Sequence, residues 1–145
     1  MRFARRASII VMFAALGGCG GDSTTSPTTP QRASFQLAAS HTSDLQKQLF
    51  CTISTEWGLA TCFVDITIQE TSSQTGGNID FIRGIDSAGN QSAIGSSVIV
   101  NAFGNNRVEA GATFTAEVTF PGRASRVVIQ ITDDTGFVHT LEGSL

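Results

Sequence analysis

Basic charge is scarce in this chain: nine Lys and Arg stand against twelve Asp and Glu, a formal charge of −3. A protein that grips phosphates needs a stripe of cations, so no nucleic-acid partner is expected. Histidine and cysteine are scarce as well, limited to His41, His139, Cys19, Cys51 and Cys62. A tetrahedral site is hard to assemble from that stock, so no metal and no cofactor is expected. No serine sits in a Gly-x-Ser-x-Gly elbow, and no EF-hand or nonapeptide spacing organises the acids. After the first residues, no apolar stretch offers a transmembrane helix of roughly 20 residues.

The residues that remain point away from catalysis, and no catalytic residue is assigned. His139 alternates with Phe137 and Leu141, as a structural histidine at the edge of a core would. His41 lies in a polar segment and is read as solvated. Asp133 and Asp134 are neighbours in a turn, where Asp is favoured for its local hydrogen bonds, whereas glycosidase carboxylates face one another across a cleft. Asp86, Asn90, Asp133 and Asp134 are loop oxygen donors, which leaves Ca²⁺ as a secondary reading.

The first residues are organised differently. Arg2, Arg5 and Arg6 precede an apolar run, Ala7 to Leu16, of about ten residues, too short to cross a bilayer and of the length of a signal-peptide core. Leu16-Gly17-Gly18-Cys19 follows and resembles the lipobox of bacterial lipoproteins. The resemblance implies cleavage before Cys19, lipidation of that cysteine and a membrane anchor, with plain secretion and a free cysteine as the alternative. Acyl chains contribute about 0.8 kcal/mol per buried methylene, so two or three hold a small domain almost irreversibly. In such lipoproteins an Asp after the cysteine favours the inner membrane; Gly20 here implies the outer membrane of the cell envelope.

Residues 1–18 are therefore read as signal peptide and 19–33 as lipidated cysteine plus linker. The segment GGDSTTSPTTPQRA lacks large apolar residues and cannot recover its ordering entropy. As a coil of about 14 residues it would hold a domain roughly 20 Å from the membrane, whether or not its threonines carry glycans. Loss of the three leader arginines would leave six basic residues and a formal charge near −6. With Cys19 spent on lipid, Cys51 and Cys62 form an even pair in an exported chain, which reads as a disulfide, with two buried thiols as the alternative.

Residues 34–145 form one domain of common size. Apolar residues alternate in segment after segment between Gly, Asn, Asp and Ser clusters, which predicts an all-β domain. The expected strands are Phe35 to Ala38, Lys47 to Ser54, Leu59 to Glu70, Asn78 to Asp86, Ser97 to Phe103, Ala112 to Phe120, Ser125 to Thr132 and Phe137 to Glu142. His41 to Gln46 has room for one helical turn. Thr55-Glu56-Trp57-Gly58 fits a turn that would make the two cysteine strands a hairpin. Parity puts Ile79, Phe81 and Ile85 on one face of their strand and turns Phe50 and Phe63 away from the cysteine face.

Seven principal strands plus a short leading one suit an immunoglobulin-like, two-sheet antiparallel sandwich. VDITIQE, FIRGIDSAGN, the Ala110 to Phe120 segment and the final hairpin through Ile129-x-Ile131-x-Asp133-Asp134-x-Gly136 resemble, in their order, Ig-like domains of bacterial surface lipoproteins. The resemblance implies a noncatalytic envelope module that binds a protein or glycan partner, or a structural lipoprotein without a dedicated ligand; a small hydrolase finds no constellation. Trp57 at the hairpin tip is the candidate partner contact, unless its ring folds back over the bridge.

Overall fold

The computed structural model describes residues 31–52 and 61–145, so Cys19, the linker up to Pro30 and the turn that carries Trp57 lie outside the described residues. In chain order the elements are β1 (Phe35–His41), α1 (Leu45–Thr52), β2 (Thr61–Glu70), β3 (Gly77–Asp86), β4 (Gln91–Gly95), α2 (Ser96–Phe103), β5 (Arg107–Val108), β6 (Thr113–Pro121), β7 (Ala124–Asp133) and β8 (Val138–Ser144). One sheet has the order β1-β2-β6 and the other β4-β3-β7-β8, with β5 also paired to β3. All named pairings are antiparallel. Two sheets with this strand order form an immunoglobulin-like sandwich.

The period-two pattern decides which faces meet. Val64, Ile66 and Ile68 of β2 and Phe114, Ala116, Val118 and Phe120 of β6 face Ile79 and Ile82 of β3 and Val127, Ile129 and Ile131 of β7 in one core. Along β3 the expected parity fails midway. Ile79 pairs with Ile131 but Phe81 pairs with Gln130, so Asp80 is an extra residue on its strand. Such a bulge reverses the parity that follows it. Ile82 is therefore buried and Phe81 is not, and the Arg83 guanidinium lies 4.6 Å from the Phe81 ring centroid.

Two expected strands are helices. In place of Lys47 to Ser54 stands α1, which begins behind Asp44: its Oδ1 accepts the backbone N–H of Gln46 (2.9 Å) and Lys47 (3.4 Å). Asp is a strong N-cap, and the Leu, Gln and Lys that follow are good helix formers, so local preference outweighs the alternation of Leu49, Cys51 and Ile53. The predicted Cys51–Cys62 hairpin is absent for the same reason, since only Cys62 stands on a strand. In place of Ser97 to Phe103 stands α2, which buries Ile99 and ends at Gly104, whose N–H donates to the Val100 carbonyl at 2.8 Å. Gly104 has φ 83°, the left-handed stop that glycine supplies without a Cβ clash. Strands β4 and β5 were not expected.

The sandwich has two chemically distinct ends. At one, Arg32 and Ala33 bring the chain into the fold beside the β7–β8 hairpin, with Arg32 3.9 Å from the centroid of Phe137 and the Ala33 N–H donating to Asp133 at 3.2 Å. β1 then runs its seven residues, about 20 Å, to the other end, where α1, the start of β2 and Leu145 gather.

Candidate functional site

The far end carries the candidate site. A cleft of about 240 Å³ is lined by His41, Thr42, Lys47, Gln48, Cys51, Phe63 and Arg123. Cys51 and Cys62 are joined in a disulfide with Cα atoms 4.5 Å apart, and the bridge ties α1 to the first residues of β2. Cys62 is fully buried and Cys51 half-buried, so the accessible sulfur is that of Cys51. The bridge does not join the two sheets, as the disulfide of antibody domains does.

His41 is the residue whose position is least like its expectation. It is half-buried, and its Nε2 lies 3.0 Å from the Ala124 carbonyl oxygen. A carbonyl only accepts, so Nε2 carries the proton and Nδ1 holds the lone pair in the neutral ring. The β1–β2 register pairs His41 with Val64, which makes Cys62 its diagonal neighbour across the ladder. A ring nitrogen of His41 and the two cysteine sulfurs all lie within 4.8 Å of one another.

Around this group the surface is mixed. Lys47 Nζ donates to both oxygens of Glu117 at 2.6 and 2.7 Å and stands 5.4 Å from the Phe63 centroid. Its hydrogen bond to the Glu117 carboxylate raises the Lys47 pKa. Phe50, expected on a strand beside Phe63, is instead on α1, 61% exposed, its ring centroid 6.5 Å from that of Phe63. Leu45 is 76% exposed on the same helix, so apolar surface and the Lys47–Glu117 ion pair share one rim.

The other polar clusters are structural. Asp133 accepts from Ala33 N–H, Thr135 N–H and hydroxyl, Phe137 N–H and His139 Nε2, the last at 2.9 Å. Burial alone would push its carboxyl pKa up; the bonds from His139, Thr135, Phe137 and Ala33 outweigh it and hold the pKa well below the usual range. His139, as expected, lies at the core edge, packed edge-on against Phe35 and Phe137. The loop acids read as possible Ca²⁺ donors do not converge: Asp86 accepts from Asn90, while Asp134 takes two bonds from Arg107 at 2.8 and 2.9 Å at the opposite end of β3.

The bridge is expected to matter for stability. In the chain-entropy picture, closing a loop over a sequence separation of 11 contributes about 3 kcal/mol. The Cys51→Ser/Cys62→Ser double variant should unfold in urea with a stability lower by about that amount, and an unchanged midpoint would show that α1 is held by its other contacts.

No protein-family model and no curated protein matches the chain. A solved structure described as "X-ray structure of Northeast Structural Genomics Consortium target SoR45" is similar, at 8% identity, over 76% of this chain and 80% of its own, with a TM-score of 0.43.

Proposed function

We propose that this protein is a noncatalytic lipoprotein of the bacterial envelope, anchored through Cys19, whose β-sandwich presents the α1 end to a protein partner. The observation that carries this is the polarity of the domain. The chain leaves the linker at Ala33, whereas the cleft, the disulfide and the exposed Leu45 and Phe50 lie at the other end, about 20 Å away along β1. An anchor at Cys19 would attach the domain at the opposite end and leave the α1 end clear of the tether. Exposed apolar side chains beside a Lys47–Glu117 ion pair suit a contact with an amphipathic protein surface better than one with a neutral sugar.

Two measurements test it. Mass spectrometry of the membrane-extracted protein should find Cys19 as the N-terminal residue carrying acyl mass; a different N-terminus or an unmodified cysteine would refute the anchor. Crosslinking in cells should then capture a stoichiometric partner that Leu45→Glu and Phe50→Glu lose. A partner that survives both changes would refute the α1 end as its contact. Repeated absence of any partner favours the second reading, a structural envelope lipoprotein without a dedicated ligand.

A further inference from the structure

We propose that reduction of the Cys51–Cys62 disulfide opens a site for a thiophilic d¹⁰ cation, Cu(I) above all, with two thiolates and the His41 imidazole as ligands. A ring nitrogen of His41 and the two sulfurs already lie within 4.8 Å of one another, each residue on a different element: β1, α1 and β2. The hydrogen bond from His41 Nε2 to the Ala124 carbonyl is the support that a metal-bound histidine commonly has, because it fixes the tautomer and leaves Nδ1 as the basic nitrogen. Soft sulfur ligands select Cu(I) and Zn(II) from the available ions. Three ligands complete a trigonal Cu(I) centre, whereas Zn(II) would need a fourth, such as water.

Charge favours the same choice. Two thiolates with Cu(I) carry a net charge of −1, and with Zn(II) none; Arg123 lines the cleft beside them, while the charge of Lys47 is already met by Glu117. A cation there also favours the thiolate over the thiol.

The redox step balances with a dithiol as the reductant. Its first thiolate attacks Cys51 Sγ, the accessible sulfur, forming a mixed disulfide and expelling the Cys62 thiolate. Its second thiol then displaces Cys51, so the dithiol leaves as a disulfide and both cysteines are reduced. Binding of the cation releases whatever protons the two sulfurs still hold.

The test uses the full chain, reduced with a phosphine under argon and titrated with Cu(I) against a chromophoric Cu(I) chelator, then with Zn(II) against a zinc chelator. Expected are one Cu(I) per chain, an ultraviolet thiolate-to-metal absorption band, and at least tenfold weaker binding in His41→Asn, with Zn(II) bound more weakly than Cu(I) relative to the Cys51→Ser/Cys62→Ser variant. A reduced chain that binds no more Cu(I) than the oxidised one, or than the double serine variant, overturns the site. Wild-type affinity in His41→Asn overturns the imidazole ligand, and zinc bound as tightly as Cu(I) overturns the preference. Loss of the β-sheet circular dichroism on reduction also overturns it, because the three elements would no longer hold the ligands together.

Discussion

Replacing Glu70 with alanine is expected to lower the unfolding free energy by about 4 kcal/mol, a large share of what a domain of this size has. Glu70 is the last residue of β2, and its parity points the carboxylate inward at 1% exposure. There it accepts backbone N–H groups from Ser34 (3.1 Å), Ser72 (2.9 Å), Ser73 (2.8 Å) and Gly111 (2.8 Å), and the Ser72 hydroxyl. Three chain segments converge on one side chain: the start of β1, the turn after β2 and the turn before β6. Truncation leaves five donors, four backbone N–H groups and the Ser72 hydroxyl, without their acceptor, and each costs about 1–3 kcal/mol unless water reaches it.

The same carboxylate imposes a pH dependence. Burial would push its pKa up, but the Ser72 hydroxyl and the N–H groups of Gly111, Ser34 and Ser72 outweigh burial and bring it down to about 2, from 4.5 in the unfolded chain. A depressed folded-state pKa means stability that is fully present above the unfolded value and lost as pH falls toward the folded one. The window is therefore pH 4.5 down to about 2. Glu70→Gln keeps the shape but sets an NH₂ group against donors, so it should already be destabilised at pH 7 and should lose less on acidification than the wild type. Urea unfolding between pH 2 and 7 measures both; parallel pH profiles for the two proteins would show that Glu70 does not supply the slope. Asp133, depressed in the same direction, acidifies both proteins alike and cancels in the comparison.

The all-β class was legible because alternation on β2, β6 and β7 runs unbroken for most of a strand, and two opposed faces follow from it directly. The helices were not. In α1 the stretch Leu49-Phe50-Cys51 satisfies either period, and the deciding signal was the single cap residue Asp44, which sits outside the alternating run. In α2, β-branched Val98, Ile99 and Val100 argued for a strand, and only the Gly104 stop argued otherwise. The bulge at Asp80 left a trace as the doublet Phe81-Ile82, apolar on both parities. The Cys51–Cys62 pairing was legible from parity of number alone, but the placement of His41 beside it was not. It depends on the register of β1 against β2, which pairs residues from 23 (His41 with Val64) to 35 (Phe35 with Glu70) positions apart and leaves no local mark.

Gly84 and Phe120 should behave as one unit, and a double-mutant cycle will show it. An ideal Cβ on Gly84 would stand 2.6 Å from Phe120 Cγ and 2.8 and 2.9 Å from its two Cδ atoms, so the ring lies flat on the glycine backbone. Phe120 is 1% exposed at the end of β6, enclosed by the core, and cannot swing aside. Gly84→Ala should therefore cost about 2–3 kcal/mol as overpacking. Phe120→Ala should cost about 3–5 kcal/mol, since it removes the largest fully buried side chain among the described residues and leaves a void between the sheets. With the ring gone, however, the methyl of Gly84→Ala has space, fills part of the void and removes about 0.5–1 kcal/mol of glycine's entropic cost in a strand. The second substitution should then be neutral or stabilising, which is a coupling of about 2–4 kcal/mol between residues of opposite sheets. Additive losses in urea unfolding would mean that the strand yields at Gly84 without involving the ring, and that the facing sheets are less tightly registered than the 2.6 Å approach requires.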